Sequence, residues 1–239
     1  MTPYLAGVAQ AAIESFPCPG PILEVGSYQV AGQSLHADLR PFFPEQTFVG
    51  IDMRSGPGVD QVANVERLPF ADNSFGTVLA FSVFEHVERF WQGFAEVQRV
   101  LRPDGLFLLS CPFYFHIHAH PEDYWRFTPS SFDSLLQEYP SRLIGSHGPA
   151  SRPLNVWAIA AGPEYPPFTE DQKALFEKKV QSYARQPLRT GRKIRYQIAK
   201  LLCGGGPFAP KLKAETFRTE IFRTPSPATT TISSSLEVA

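Results

Sequence analysis

The spacing of apolar and polar positions divides the first two thirds of the chain into short elements of two kinds. Residues 3–16 place Leu5, Val8, Ala12, Ile13 and Phe16 on one side of a helix. Pro19-Gly20-Pro21 breaks that pattern, and Ile22-Leu23-Glu24-Val25-Gly26 reads as a buried parallel strand ending at a glycine. A helical stretch over Gln33–Arg40 leads to a second apolar strand, Thr47–Asp52, and a short third strand is expected near Gln61–Ala63. Phe75–Phe81 is an unbroken apolar run and reads as the central strand. Phe90, Phe94, Val97 and Leu101 then recur at helical spacing over 90–102, Pro103-Asp104-Gly105 ends that helix, and Leu106–Ser110 forms the next strand. A helix opens at Pro129-Ser130-Ser131, and Arg142–Ser146 and Leu154–Ala160 supply the last two strands.

Strands alternating with helices predict an α/β protein with a Rossmann-like, doubly wound, mostly parallel sheet and helices on both faces. In such sheets ligands lie beyond the carboxyl ends of the strands, so the residues just after each strand are the candidates for chemistry. The expected organisation is a main domain over 1–165, a basic helical extension over 166–223, and a Ser/Thr/Pro-rich disordered tail over 224–239.

Composition adds three constraints. Cys18, Cys111 and Cys203 form no C-x-x-C pair and are odd in number, which argues against a disulfide framework or a thiolate zinc site. The amino-terminal stretch lacks a basic start followed by an apolar run, and no segment has the ~18 apolar residues a spanning helix needs. A soluble, cytoplasmic protein is expected. The net charge of −1 hides an asymmetry: ten of the 22 Lys and Arg lie within 178–214, which holds no acidic residue. Within that region, Ile194, Ile198, Leu201 and Leu202 share one helical side of 192–202, flanked by Lys193, Arg195 and Lys200. Such a helix either packs on its own domain with a solvated basic face or lies on the inner surface of an anionic membrane. No nucleic-acid-binding module is visible, and no nucleic-acid partner is expected.

Four pieces occur in order: Glu24-Val25-Gly26-Ser27, Gly50-Ile51-Asp52, Glu66-Arg67-Leu68-Pro69-Phe70-Ala71-Asp72-Asn73-Ser74-Phe75, and Val100-Leu101-Arg102-Pro103-Asp104-Gly105. Together they resemble class I S-adenosylmethionine-dependent methyltransferases of the broad group that includes quinone- and small-molecule-methylating enzymes. The resemblance covers residues 20–160 and implies S-adenosylmethionine as cofactor. That molecule carries a sulfonium and an ammonium but no phosphate. A carboxylate such as Glu24 suits its ammonium and would be a poor neighbour for a pyrophosphate. Gly26 lets backbone approach closely, and Asp52 ends a strand where a carboxylate accepts ribose hydroxyls. The resemblance further implies Ser27 and Met53 beside the cofactor, Asn64 and Val65 at the adenine, and Phe81 and Ser82 at the methionine end. One departure stands out: the family's glycine-rich loop is here Ser27-Tyr28-Gln29-Val30-Ala31-Gly32, with a longer and bulkier middle.

On the acceptor side, methyl transfer to oxygen or nitrogen benefits from a base titrating near neutrality, usually histidine. His86 follows the central strand, and His116, His118 and His120 follow the fifth. The segment His120–Pro129 resembles a variant in methyltransferase-like proteins associated with polysaccharide or glycan biosynthesis. The candidate catalytic residues are therefore His120, Asp123 and His86, and the candidate acceptor contacts are His116, His118, Tyr124 and Arg126. Packing is the competing account: Tyr124, Trp125 and Phe127 pinning the loop, with Asp123 paired to Arg126. Alternation of His116, His118 and His120 on one strand face would bring three imidazoles together, but without a partner carboxylate at suitable spacing no metal is expected. The function expected is methyl transfer, chiefly to oxygen, on a small-molecule or glycan-type acceptor. An inactive cofactor-binding module is the alternative. A nicotinamide oxidoreductase is disfavoured by the lack of G-x-G-x-x-G and of a Tyr-x-x-x-Lys pair.

Overall fold

The computed structural model describes residues 2–30, 38–118, 122–148, 151–183, 190–203 and 218–223. The helical stretch expected over 33–40, the base candidate His120 and the tail from 224 lie wholly or mostly outside these residues.

Helix α1 (Pro3–Ile13) starts where Thr2 caps it, the Thr2 side chain accepting from the Leu5 N–H at 3.3 Å with Pro3 in the first turn. Strands β1 (Ile22–Val25), β2 (Phe48–Asp52), β3 (Gln61–Val62) and β4 (Phe75–Phe81) follow. Helix α2 (Phe90–Val100), strand β5 (Leu101–Pro112), helix α3 (Pro129–Leu135), β6 (Ser141–Gly148) and β7 (Asn155–Ala161) complete the main layer. Then come α4 (Glu170–Tyr183), α5 (Thr190–Cys203) and β8 (Arg218–Arg223).

The sheet order is β3-β2-β1-β4-β5-β7-β6-β8. Strands β1 to β5 are parallel, whereas β7 runs antiparallel to both β5 and β6, and β8 is antiparallel to β6. The sheet is therefore mixed at one edge. Strand β8 corrects the expectation of a purely helical extension: its backbone pairs with β6 despite four polar residues in Arg-Thr-Glu-Ile-Phe-Arg. Order reverses between β1 and β4, which opens the crevice where such sheets bind ligands.

Apolar runs form these strands because both sheet faces are covered. On β4 and β5, Val78, Ala80, Phe107 and Leu109 point into a core with Phe84, Phe94, Val97, Phe127 and Phe132. Their neighbours Leu79, Leu106 and Leu108 point into the opposite core, with Leu5, Val8, Trp157, Phe176 and Val180. That second core crosses the boundary expected at residue 165, since Phe176 and Val180 belong to α4. Lys179 and Tyr183 of the same helix hold the Glu14 carboxylate at 2.5 and 2.8 Å. The exposed side of α5 is different: Ile194, Ile198, Leu201 and Leu202 are all at least half exposed, so these four do not pack on the domain. No helix among the described residues is long and apolar enough to cross a membrane.

Helix α2 ends at Val100, two residues before the predicted limit, because Leu101 already pairs with Phe75. Pairing resumes at Thr77 and Leu106, so Arg102–Gly105 bulges outward. Arg102 is ion-paired to Asp104 and donates to the Gly20 carbonyl at 3.0 Å.

The loop carrying Leu68-Pro69-Phe70 is clipped to α2 by Arg99. Its guanidinium donates to the Phe70 carbonyl at 2.8 Å, the Leu68 carbonyl at 3.1 Å and the Asp72 carboxylate at 2.7 Å, while Glu96 accepts from the Leu68 N–H. Arg99→Ala leaves two carbonyls without donors and is expected to cost about 2 kcal/mol. The check is a urea titration: the midpoint should fall with little change in slope. An unmoved midpoint would show that the Phe70–Phe75 ring contact holds the loop by itself.

Candidate active site

A cavity of about 1340 Å³ opens over the carboxyl ends of β1, β2 and β4 and the start of β7. This exceeds the roughly 300–1,000 Å³ of a typical small-ligand pocket, so it has room for two ligands side by side. Of the cofactor candidates, Glu24, Gly26, Asp52, Met53, Asn64, Val65, Phe81 and Ser82 all line it. Ser27 does not; it is buried, with its hydroxyl near the Gly50 backbone.

Glu24 and Asp52, from neighbouring strands, face the same space. Glu24 pairs with Gly50 and Val25 with Ile51, so Asp52 lies two residues further along its strand than Glu24, and the two acids reach the cavity one step apart. Burial, reinforced by the charge of Asp38, pushes the Glu24 carboxyl up to about 8. A carboxyl strained in this way gains from an incoming cation. Asp52 accepts the Arg54 N–H through Oδ1 at 3.0 Å, and no hydrogen bond among the described residues reaches Oδ2. One oxygen fixes the side chain; the other is open to a ligand hydroxyl. This donor set fits an ammonium and a diol.

Gly26 adopts φ +75°, and a Cβ there would meet Val83 at 2.5 Å. The glycine is thus required for the turn after β1 to seat against the turn after β4. Ser82 is also left-handed, at φ +58°, with its N–H bonded to the Ser110 carbonyl at 2.8 Å. Such backbone at a cavity wall is held by its surroundings. The bulky loop after Gly26 is accommodated by folding Tyr28 onto the loop after β2. Arg54 stacks on the Tyr28 ring at 4.4 Å, and Gly56 leaves room for that ring. Asn64 uses its side-chain oxygen internally, accepting from the Glu66 N–H at 2.9 Å. The oxygen expected to accept from an adenine amine is therefore already engaged, and the amide NH2 is the group left to face a base.

The acceptor candidates divide. His86, His116, His118 and Tyr124 line the cavity. Asp123 and Arg126 do not: Asp123 is buried and takes a two-pronged ion pair from Arg126, together with the His118 N–H at 3.0 Å and His118 Nδ1 at 3.1 Å. The Arg126 guanidinium holds the Asp123 carboxyl far below the usual carboxylate range. A carboxylate so engaged has little capacity to take a proton, which corrects its assignment as a base and that of Arg126 as an acceptor contact. Both position His118. Nor do His116 and His118 share a strand face, because β5 stops at Pro112 and the chain runs without regular structure from there.

Segment 122–128 is stitched to the turn after β4. The Tyr124 and Trp125 N–H groups donate to the Glu85 carbonyl at 2.8 and 3.2 Å, and Trp125 Nε1 donates to the Glu88 carbonyl at 3.0 Å. Trp125 and Phe127 set their edges against Phe90, so these aromatics do pack the loop. Tyr124 stays 45% exposed at the cavity wall, free to meet a ligand.

The residue missed by sequence reading is Glu85. Its side chain is fully buried and lines the same cavity, and its carboxylate oxygens have no nitrogen or hydroxyl donor, only the Cys111 thiol nearby. Burial pushes its carboxyl up to about 8. His86 beside it is held below its usual range, chiefly by burial.

The sheet order and the crevice between β1 and β4 are those of a Rossmann-like α/β fold, with Glu24 and Asp52 lining the crevice. Comparison with known proteins finds methyltransferases. Residues 35–109 match the family described as a methyltransferase domain. An uncharacterized methyltransferase of Mycobacterium marinum is 38% identical over 91 residues, which cover 38% of this chain and 35% of that protein. One from Mycobacterium avium is 56% identical over 43 residues, 18% of this chain and 17% of its own length. The chain thus spans about a third or less of these relatives. Among solved structures, a Thermotoga maritima S-adenosylmethionine-dependent methyltransferase aligns with TM-score 0.50 and 13% identity over 66% of this chain and 88% of that one. The Burkholderia thailandensis 1,6-didemethyltoxoflavin N1-methyltransferase, solved with that compound and S-adenosylhomocysteine, gives 0.50 and 18% over 67% and 79%. At these identities the shared property is the fold.

Proposed function

We propose that the chain is an S-adenosylmethionine-dependent methyltransferase acting on a hydroxyl of a small-molecule or glycan-type acceptor. The observation that carries the reading is the pair Glu24 and Asp52, on neighbouring parallel strands two residues apart in register and lining a single cavity. Glu24 would hold the amino-acid ammonium, Asp52 the ribose hydroxyls, and Met53 and Val65 the faces of the adenine. When bound, S-adenosylmethionine supplies an electrophilic methyl on a cationic sulfur. Tyr124 offers an aromatic face within the same cavity, suited to a sugar ring or to positive charge. Holding both reactants in line contributes much of the rate for such a displacement.

Calorimetry with S-adenosylmethionine and an isotope-transfer assay across hydroxylated acceptors test the reading separately. Asp52→Ala is expected to weaken cofactor binding at least tenfold, about 1.4 kcal/mol, with the melting temperature of the free protein nearly unchanged. Equal affinity in the variant would remove Asp52 from the site. Tight cofactor binding without transfer to any acceptor would instead favour a binding module.

A further inference from the structure

Glu85, His86 and His118 converge although His118 lies 32 positions beyond His86. One ligand-type atom from each lies within 4.8 Å of the others. The His86 Nε2 is 3.8 Å from a Glu85 oxygen, and the two imidazoles meet edge to face with centroids 4.8 Å apart. We propose that these three side chains form a divalent transition-metal site, with a position open to the acceptor end of the cavity.

Two independent features point to a cation. The first is Glu85. A carboxylate with no exposed surface and no strong hydrogen-bond donor is costly to keep charged. The groups nearby do not compensate it: Arg126 is spent on Asp123, and the buried Cys111 thiol is only a weak donor. A dication between Glu85 and the imidazoles would supply what the protein leaves out.

The second is how both histidines are held. His86 Nδ1 meets the Glu122 carbonyl at 2.5 Å, and His118 Nδ1 meets the Asp123 carboxylate at 3.1 Å. Both partners are oxygens that only accept, so each Nδ1 carries the proton and each Nε2 keeps its lone pair. Metal-bound histidines are typically oriented in this way, by a carbonyl or a carboxylate on the far nitrogen. Arg126 in turn fixes Asp123. The His120–Pro129 segment therefore has a task beyond packing: its Glu122 carbonyl and Asp123 carboxylate set the tautomers of both ligands.

Two imidazoles and one carboxylate favour zinc, cobalt or manganese over the all-oxygen preference of magnesium and calcium. Three protein ligands leave a coordination position free, as in catalytic sites. A hydroxyl bound there is acidified, which would serve methylation at oxygen without a separate protein base. This last role rests on the methyltransferase reading; the site itself does not.

The experiment is calorimetric titration of the chelator-treated protein with Zn2+, and with Mg2+ for comparison, followed by the visible absorption of the Co2+ form. One Zn2+ per chain is expected, with an intense cobalt spectrum of low coordination number and far weaker Mg2+ binding. Glu85→Gln and His118→Ala should each weaken Zn2+ at least tenfold. Asp123→Asn, which is not a ligand, should also weaken it, by about 10–100-fold. Glu85→Gln is nearly isosteric and places no charge at the buried position, so the metal-free variant should melt close to the parent, and misfolding would not mimic the loss. Zn2+ affinity unaffected by Glu85→Gln and His118→Ala, or no binding at micromolar concentrations, overturns the site. Cofactor affinity is measured on the same metal-free samples: if it fails while metal binding holds, the methyltransferase reading falls and the site stands.

Discussion

S-adenosylmethionine should bind the protein roughly fiftyfold more weakly at about pH 5.5 than at about pH 7.5. The reason is Glu24, whose carboxyl is pushed up to about 8 by burial and the neighbouring Asp38. In the free protein it is mostly protonated across that window, whereas the bound ammonium stabilises the carboxylate and draws its pKa down. Binding therefore expels a proton, and apparent affinity falls up to tenfold, about 1.4 kcal/mol, for each pH unit below 8. The sign is fixed: affinity rises with pH as long as the free acid is the more protonated state. The window stops short of the range near 7.7–8.0 where an α-amino group begins to lose its own proton. Glu24→Gln should bind weakly and with little pH dependence, and the parent should release about one proton per cofactor at the acid end, readable from calorimetry in two buffers of different ionisation heat. A flat profile in the parent would mean that Glu24 does not meet the ammonium.

The largest loss of stability is expected from Trp157→Ala, about 3–5 kcal/mol, or roughly 6–20 °C in melting temperature for a chain of this size. Trp157 is 1% exposed at the centre of β7, with its ring edge against Phe176 at 5.3 Å. Truncation would open a void beneath both α1 and α4 that neither helix can fill without sliding. The facing position shows how tight the fit is: a Cβ added to Gly145 would lie 2.0 Å from the indole ring. Gly145→Ala should accordingly destabilise as well, by overpacking. The two changes share one volume and should not be additive: Gly145→Ala ought to cost less in a Trp157→Phe background than in the parent. Additive losses by thermal melting would show that the two positions do not compete for space.

Much of the scaffold can be read from apolar runs alone. Phe75–Phe81 emerges with the bounds expected, and β1 and β2 within a residue or so, because a strand buried on both faces carries an uninterrupted signal. Strand β8 is hidden because an edge strand needs only one apolar face and its backbone pairing leaves no mark on composition. The Arg102–Gly105 bulge carries the residues of a helix stop, and the pattern does not distinguish a turn from a strand that loops out. At the candidate site, the strand-end rule and the family resemblance singled out Glu24 and Asp52, and both line the cavity. Glu85 escaped both. An acid in the turn four residues past a strand reads as solvated, and only the three-dimensional packing of Cys111, the aromatics of α2 and the returning 122–128 segment removes it from water. The meeting of His86 with His118 escaped as well, since the regular alternation around His118 suggested a continuing strand that Pro112 ends.

The clasp of α4 on α1 ties the beginning of the chain to a segment roughly 170 residues later, the kind of distant contact that slows folding. During synthesis α1 precedes the strands, yet Phe176, Val180 and the Glu14 ligands Lys179 and Tyr183 arrive only after β1 to β7 have been made. Until then the outer flank of α1 lacks its cover, and Thr2 and Pro3, which border the cavity, are anchored from one side only. The mouth of the cleft is therefore among the last parts of the nascent protein to take shape.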